Sequence, residues 1–293
     1  MKKILIASGC SFTEKNFMST FHPEMDCTWD KWPELLAQKL DMDCINLGSR
    51  GAGNEYIYNS IVQRLLKIKK NRVGLVMAGW SSANRFDFRV TKNSMGGHVH
   101  GSRLKRNNQG VLRHSHIDDF PNRGHSMSKL YPSVIYHFPN VDKLDHYEYI
   151  INRSIGLFYD LQTLCENFEI PLKQFQMINL FVDMELGANG DNEKAKMMMK
   201  SPYLEHIDEE SFIGWPISCR LGGGNLWRHL LTQEFENVKS KHPRRPSRLL
   251  SDDMITLFRS EVEQNTQISN QDAHPNALMQ QRMADFLYEK IKE

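Results

Sequence analysis

Four short apolar runs, Lys3 to Ala7, Asp43 to Leu47, Val73 to Ala78 and Pro171 to Ile178, alternate with stretches where apolar residues return every three or four positions. The runs have the length of strands buried on both faces, and the intervening pattern is that of amphipathic helices. Such an alternation predicts an α/β fold with a mainly parallel sheet and helices on both sides. The helical stretches are Trp32 to Leu40, Glu55 to Lys69 (Ile57, Ile61, Leu65 and Ile68 on one face), Asp145 to Phe168 and Pro275 to Lys292. The third turns Tyr149, Ile150, Ile155, Phe158, Leu161 and Leu164 inward, and the last does so with Leu278, Met283, Phe286, Leu287 and Ile291. Pro33 and Pro275 suit a first helical turn, where a missing N–H leaves no bond unmade.

Two segments, about 81–144 and about 179–250, interrupt this scaffold. Loops of such length usually cover or line a site, and in open α/β sheets they gather above the C-terminal ends of the strands. Both inserts are therefore expected to wall a site within one domain spanning residues 1–293. The first holds His98, His100, His114, His116 and His125. His-x-His pairs can ligate zinc, but no cysteine or spaced carboxylate completes a ligand set, so no metal is expected. The second holds Trp215, Gly222-Gly223-Gly224 and Trp227, rings beside a turn that suit either core packing or a sugar platform. Met197-Met198-Met199 reads as an adaptable apolar patch.

A net charge of +2 does not call for a polyanionic partner. Basic runs at Arg103 to Arg106 with Arg113, and at Lys241 to Arg248, lack the interleaved aromatics of a nucleic-acid surface, so no nucleic-acid partner is expected. The five cysteines, Cys10, Cys27, Cys44, Cys165 and Cys219, have no paired spacing and read as reduced thiols. The opening apolar stretch is too short for a signal peptide and merges into the turn that follows it, so it reads as a strand. No stretch reaches the roughly 18 to 20 apolar residues of a membrane span, and a cytoplasmic protein is expected.

The first strand runs into Gly9-Cys10-Ser11, and the last helix is preceded by Asp272-Ala273-His274-Pro275-Asn276. A serine hydroxyl is a weak nucleophile until an imidazole takes its proton, and the imidazole needs a carboxylate to fix its tautomer and stabilise its charged form. All three groups are present if the two ends of the chain meet. Gly-Cys-Ser after a strand is also ordinary turn chemistry, and His-Pro-Asn an ordinary helix start.

Taken together and in order, the blocks resemble the SGNH, or GDSL-like, hydrolases. Gly9-Cys10-Ser11-Phe12-Thr13 is similar to the first block, with Ser11 at the nucleophile and Cys10 where Asp is usual. Asn46-Leu47-Gly48-Ser49-Arg50-Gly51-Ala52-Gly53 is similar to the second, with Gly51 at the oxyanion-hole glycine. In Gly79-Trp80-Ser81-Ser82-Ala83-Asn84-Arg85 the family's Asn would fall at Ser81, and Asn84 is the nearest side-chain amide. The fifth block, Asp-x-x-His-Pro in the family, here has Asp272 two residues before His274. The resemblance implies a three-layer α/β/α, flavodoxin-like fold. It also implies a Ser11, His274 and Asp272 triad with an oxyanion hole of Ser11, Gly51 and Asn84, and no cofactor. The implied substrate is a small O-acyl, chiefly O-acetyl, ester such as an acylated carbohydrate. The pattern also resembles SGNH-like proteins of tailed phages. Two other readings stand beside it: an SGNH-like binding or structural protein of a larger assembly, and a thiol nucleophile at Cys10. Substrate-binding residues and oligomeric state are not legible.

Overall fold

The computed structural model describes residues 2–88, 97–100, 104–106, 112–114, 143–181, 190–241 and 252–293. Five strands form one all-parallel sheet: β1 (Ile4–Ser8), β2 (Asp43–Asn46), β3 (Val73–Trp80), β8 (Leu172–Gln176) and β9 (Phe212–Ile213). Their spatial order is β2-β1-β3-β8-β9. By rank along the chain this is 2-1-3-4-5, the flavodoxin-like order, which reverses direction beside β1 and opens a crevice between the C-terminal ends of β1 and β3.

Helices cover both faces. On one, α1 (Trp32–Lys39) packs on β1, β2 and the last helix α7 (Ala277–Lys292); on the other, α2 (Asn54–Leu65) packs on β1, β3 and α3 (Lys143–Asn167). The chain is thus a three-layer α/β/α structure. The central strands are buried on both sides: Leu5, Ile6, Ala7, Val76, Met77, Ala78 and Trp80 are all fully or almost fully buried. Each large apolar side chain so buried contributes roughly 1.5–3 kcal/mol relative to exposure.

The remaining elements are β4 (Arg85–Phe88) paired with β5 (Gly97–His100), β6 (Leu104–Arg106) paired with β7 (Leu112–His114), α4 (Gly190–Met199), α5 (Leu226–Lys241) and α6 (Asp252–Thr266). Among the described residues no helix is long and apolar enough to cross a membrane.

Several expectations need correction. The 179–250 segment supplies the edge strand β9, whose two residues are too few to show any alternation. The α2 helix stops at Leu65, where the chain must turn back toward β3. In α7 the first helical residue is Ala277; Asn276 caps the helix by accepting the Met279 N–H at 2.9 Å, and Pro275 lies outside it. Leu278 and Tyr149 face solvent, 50% and 61% exposed, while Met279 and Ile151 take the inward positions. Leu278 lies one position before the buried Met279, and Tyr149 two before the buried Ile151.

Candidate active site

The Ser11 turn follows β1 directly. The Thr13 and Glu14 N–H groups donate to the Cys10 carbonyl at 2.9 and 3.2 Å, which folds the chain back. Gly9 is required there by close approach: a Cβ at that position would lie 2.2 Å from Thr13 Oγ1 and 3.2 Å from the Gly79 carbonyl oxygen of β3. Thr13 Oγ1 in turn accepts the Trp32 indole N–H at 3.1 Å, so it has little room to give. Adjacent side chains in this turn point apart. Cys10 is fully buried in the core, whereas Ser11 reaches the imidazole.

The two ends of the chain meet at this point. His274 Nε2 lies 2.8 Å from Ser11 Oγ, and His274 Nδ1 lies 2.5 Å from Asp272 Oδ1. With Nδ1–H donating to the carboxylate, Nε2 carries the lone pair that accepts the serine proton. The shorter Asp-x-His spacing works because Asp272 sits in a tight turn: its N–H donates to the Ser269 carbonyl and hydroxyl, and its Oδ1 also accepts the His274 N–H at 3.2 Å.

Burial pushes the His274 pKa below its ordinary value of 6.5, and Arg50 and Arg85 push the same way against the raising effect of Asp272. The ring is therefore neutral at neutral pH, the form a general base needs. For Asp272, burial acts upward, but hydrogen bonds from Ser19 and His274 outweigh it and hold the carboxyl below 3.8. The imidazole packs against Phe17 and Phe12, with ring centroids 4.3 and 5.3 Å away.

Gly51 has φ +74°, the left-handed region that glycine enters without strain, in a turn closed by the Ala52 N–H to Ser49 carbonyl bond. Among the described residues no acceptor takes the N–H of Ser11 or of Gly51, and none takes the side-chain amide of Asn84. Ser81, at the position of the family's Asn, is fully buried with its N–H on Asn54 Oδ1, so it cannot face the crevice. Asn84 lies in the turn that follows, pinned by its own N–H to Ser82 Oγ and by the Ala83 N–H to the Leu180 carbonyl. The first insert does reach the second block: Asp87 accepts the Gly53 and Tyr56 N–H groups at 2.8 and 2.7 Å, and Arg85 donates to the Ala52 carbonyl.

Three comparisons bear on the chain. A family of unknown function (DUF6071) matches residues 24–145, less than half of the sequence. No curated protein matches. Among solved structures, a "putative lipolytic protein of G-D-S-L family" from Desulfitobacterium hafniense DCB-2 is 10% identical, with 98% of this chain and 99% of that one covered, at a TM-score of 0.36.

Residues that motif reading missed also build the site. Ser19, from residues 14–30 that strap the Ser11 turn to α1, donates to Asp272 Oδ2. Gln280, buried in α7, donates to the Phe12 carbonyl at 2.9 Å and accepts the Trp32 N–H at 2.8 Å, docking the terminal helix on the nucleophile turn. Neither has a sequence signal, since a serine in a polar loop and a glutamine in a helix both read as surface.

Trp227 packs edge-on to Phe12 at 4.9 Å. Trp215 and Gly222 to Gly224 instead line a separate cavity of about 750 Å³ along β9, with Phe175, Phe212 and Phe286. His116 and His125 lie outside the described residues, as do the side chains of His98, His100 and His114, Arg103 of the first basic run and 242–248 of the second. Among the described residues no three His, Cys, Asp or Glu groups cluster as metal ligands.

Proposed function

We propose that this chain is an SGNH-type serine hydrolase that cleaves small O-acyl esters. The observation that carries the reading is the hydrogen-bonded line from Ser11 Oγ through His274 to Asp272, made by residues 263 positions apart.

In this reading Ser11 Oγ attacks the ester carbonyl carbon as His274 Nε2 takes its proton, and the carbonyl electron pair moves onto oxygen. The N–H groups of Ser11 and Gly51 and the Asn84 amide hold that oxyanion; such donors act most strongly on charge that develops in the transition state. Collapse breaks the bond to the alkoxide, which leaves with the proton from His274. Water then attacks the acyl-enzyme, gives its proton to His274, and releases the acid as Ser11 recovers its own. Asp272 keeps its proton off throughout and stabilises the imidazolium. Family resemblance favours an acetyl group, and a carbohydrate ester is the substrate class we favour.

A fluorophosphonate probe tests the reading. Ser11 is labelled in the native chain and unlabelled in Ser11→Ala and His274→Ala, and acetate is released from an O-acetylated oligosaccharide. A folded but unreactive native chain would replace the enzyme with the binding-protein reading.

A further inference from the structure

The strap of residues 14–30 is folded over the acid end of the triad. Its Phe17 is buried against His274, and its Ser19 is 3% exposed. The Ser19 hydroxyl accepts the His22 N–H at 3.0 Å, which leaves its proton directed at Asp272 Oδ2. His22 reaches on to the same loop, with Nε2 at 2.7 Å from Ser269 Oγ. That serine hydroxyl accepts the Asp272 N–H. The strap is anchored at its far end by Lys31, almost fully buried, which donates to the Cys27 and Trp29 carbonyls. One carboxylate oxygen of Asp272 therefore binds the imidazole while the other is held from outside the acid loop.

We propose that Ser19 is a positioning residue of this site: by holding Asp272 Oδ2 from the strap, it keeps Oδ1 on His274 Nδ1. This rests on the hydrolase reading for its consequence, though not for its geometry. A free carboxylate can rotate about its terminal torsion, which is broad and weakly restrained. Two charge-assisted hydrogen bonds on opposite oxygens remove that freedom and share the carboxylate charge between two donors. Loss of the Ser19 donor lets Oδ1 turn away from Nδ1, so the imidazolium loses part of its stabilisation and His274 holds its proton only to lower pH. The charged groups facing the ring from neighbouring elements are Arg50 after β2, which donates to the Met18 carbonyl and lies over the Phe17 ring of the strap, and Arg85 of β4.

The decisive measurement is the NMR titration of His274 in the full chain, native against Ser19→Ala, with Ser19→Thr as the variant that keeps a hydroxyl. The midpoint moves down in Ser19→Ala and returns toward the native value in Ser19→Thr; equal midpoints in all three, or a midpoint that moves up in Ser19→Ala, overturn the proposal. Ser19→Cys, whose thiol is a weaker donor of similar shape, carries the same comparison if Ser19→Ala does not fold. Fluorophosphonate labelling adds the kinetic side: about tenfold slower acylation in Ser19→Ala at pH 7, with Ser19→Thr near native. Native-rate labelling in Ser19→Ala would also overturn the proposal while the hydrolase reading stands. A native chain that never labels sinks that reading alone, because the titration still reports on Ser19.

Discussion

The two ends of the chain that meet at the candidate site are held in opposite ways. The Ser11 turn is fixed locally: β1 delivers it, Gly9 lets it pass within contact of β3, and the Cys10 carbonyl takes two of its N–H groups. The Asp272–His274 loop is closed on itself by Ser269 on the Asp272 N–H, by the Ile268 N–H on the His274 carbonyl and by the Asn276 N–H on the Thr266 carbonyl, but none of these contacts reaches the Ser11 turn. It is held at a distance, by Ser19 on Asp272, by Phe12 and Phe17 on the imidazole, and by Gln280 fixing α7 against the Phe12 carbonyl. A nucleophile on a strand end is preorganised by the sheet, while the acid–base pair depends on packing between remote segments. Loss of the Ser11 hydroxyl or of the His274 ring should abolish chemistry, and loss of the remote contacts that hold the acid–base pair should detune it.

The largest effect therefore belongs to Ser11→Ala, which leaves the fold intact and removes the attacking oxygen. Esterase activity should fall by about 10³-fold or more, to the residual level that binding and oxyanion contacts sustain. Loss of one oxyanion donor is smaller, and Asn84→Ala is expected to lower kcat by about 10²-fold with KM little changed. If Asn84→Ala left kcat intact, the amide would have no part in the oxyanion hole, and Ser11 and Gly51 would carry it alone. Gly9→Ala tests the local support itself. Its added methyl must displace Thr13, which is tied to Trp32, so we expect about 1–3 kcal/mol of destabilisation in chemical denaturation. A neutral outcome would mean that the turn can shift, and that the sheet constrains Ser11 less than the contacts indicate.

The acid–base side is sharpened by pH. His274 is held below 6.5 by burial, so the acid limb of kcat/KM should have its midpoint below that value, falling tenfold per pH unit beneath it. Stability follows the same sign. Between the folded and unfolded midpoints the unfolded imidazole binds the extra proton, so stability rises with pH across the window below 6.5 and is lost as pH falls through it. Asp272, held below 3.8, adds stability that is present above 3.8 and lost only as pH drops through its folded value. A limb centred above 6.5 would show that Asp272 outweighs burial at this ring.

What the sequence made legible follows the same division. The strands β1 and β3 announce themselves because strands buried on both faces are continuously apolar. Ser11 and Gly51 sit in turns whose glycines are required by backbone geometry, so their spacing survives as a motif. Asp272 and His274 were visible as a pair next to a helix start, although the register of that helix was not: Pro275 offers a plausible first turn, but the Asn276 side chain captures the cap. Ser19 and Gln280 were invisible, because hydrogen bonds between residues 253 and 268 positions apart leave no periodicity. The edge strand β9 was missed for lack of length, and the shifted third block is explained only by the burial of Ser81 on Asn54.

The smallest expected effect lies at the joint between the loop and the helix that docks it. Asn276 accepts the Met279 N–H as the cap of α7, and its amide donates to the Gln264 and Gln267 carbonyls, tying the loop after His274 to the end of α6. Removal of an asparagine cap costs about 1 kcal/mol, and here two loop contacts go with it. Asn276→Ala should lower the thermal midpoint by a few degrees and reduce kcat less than Asn84→Ala does, because Gln280 and Ser19 still hold the helix and the acid in place. Asn276→Asp restores the cap acceptor but not the two donors. If it recovers stability without recovering kcat, the cap serves the fold and the donors serve the loop; if both recover together, the helix alone sets the position of His274.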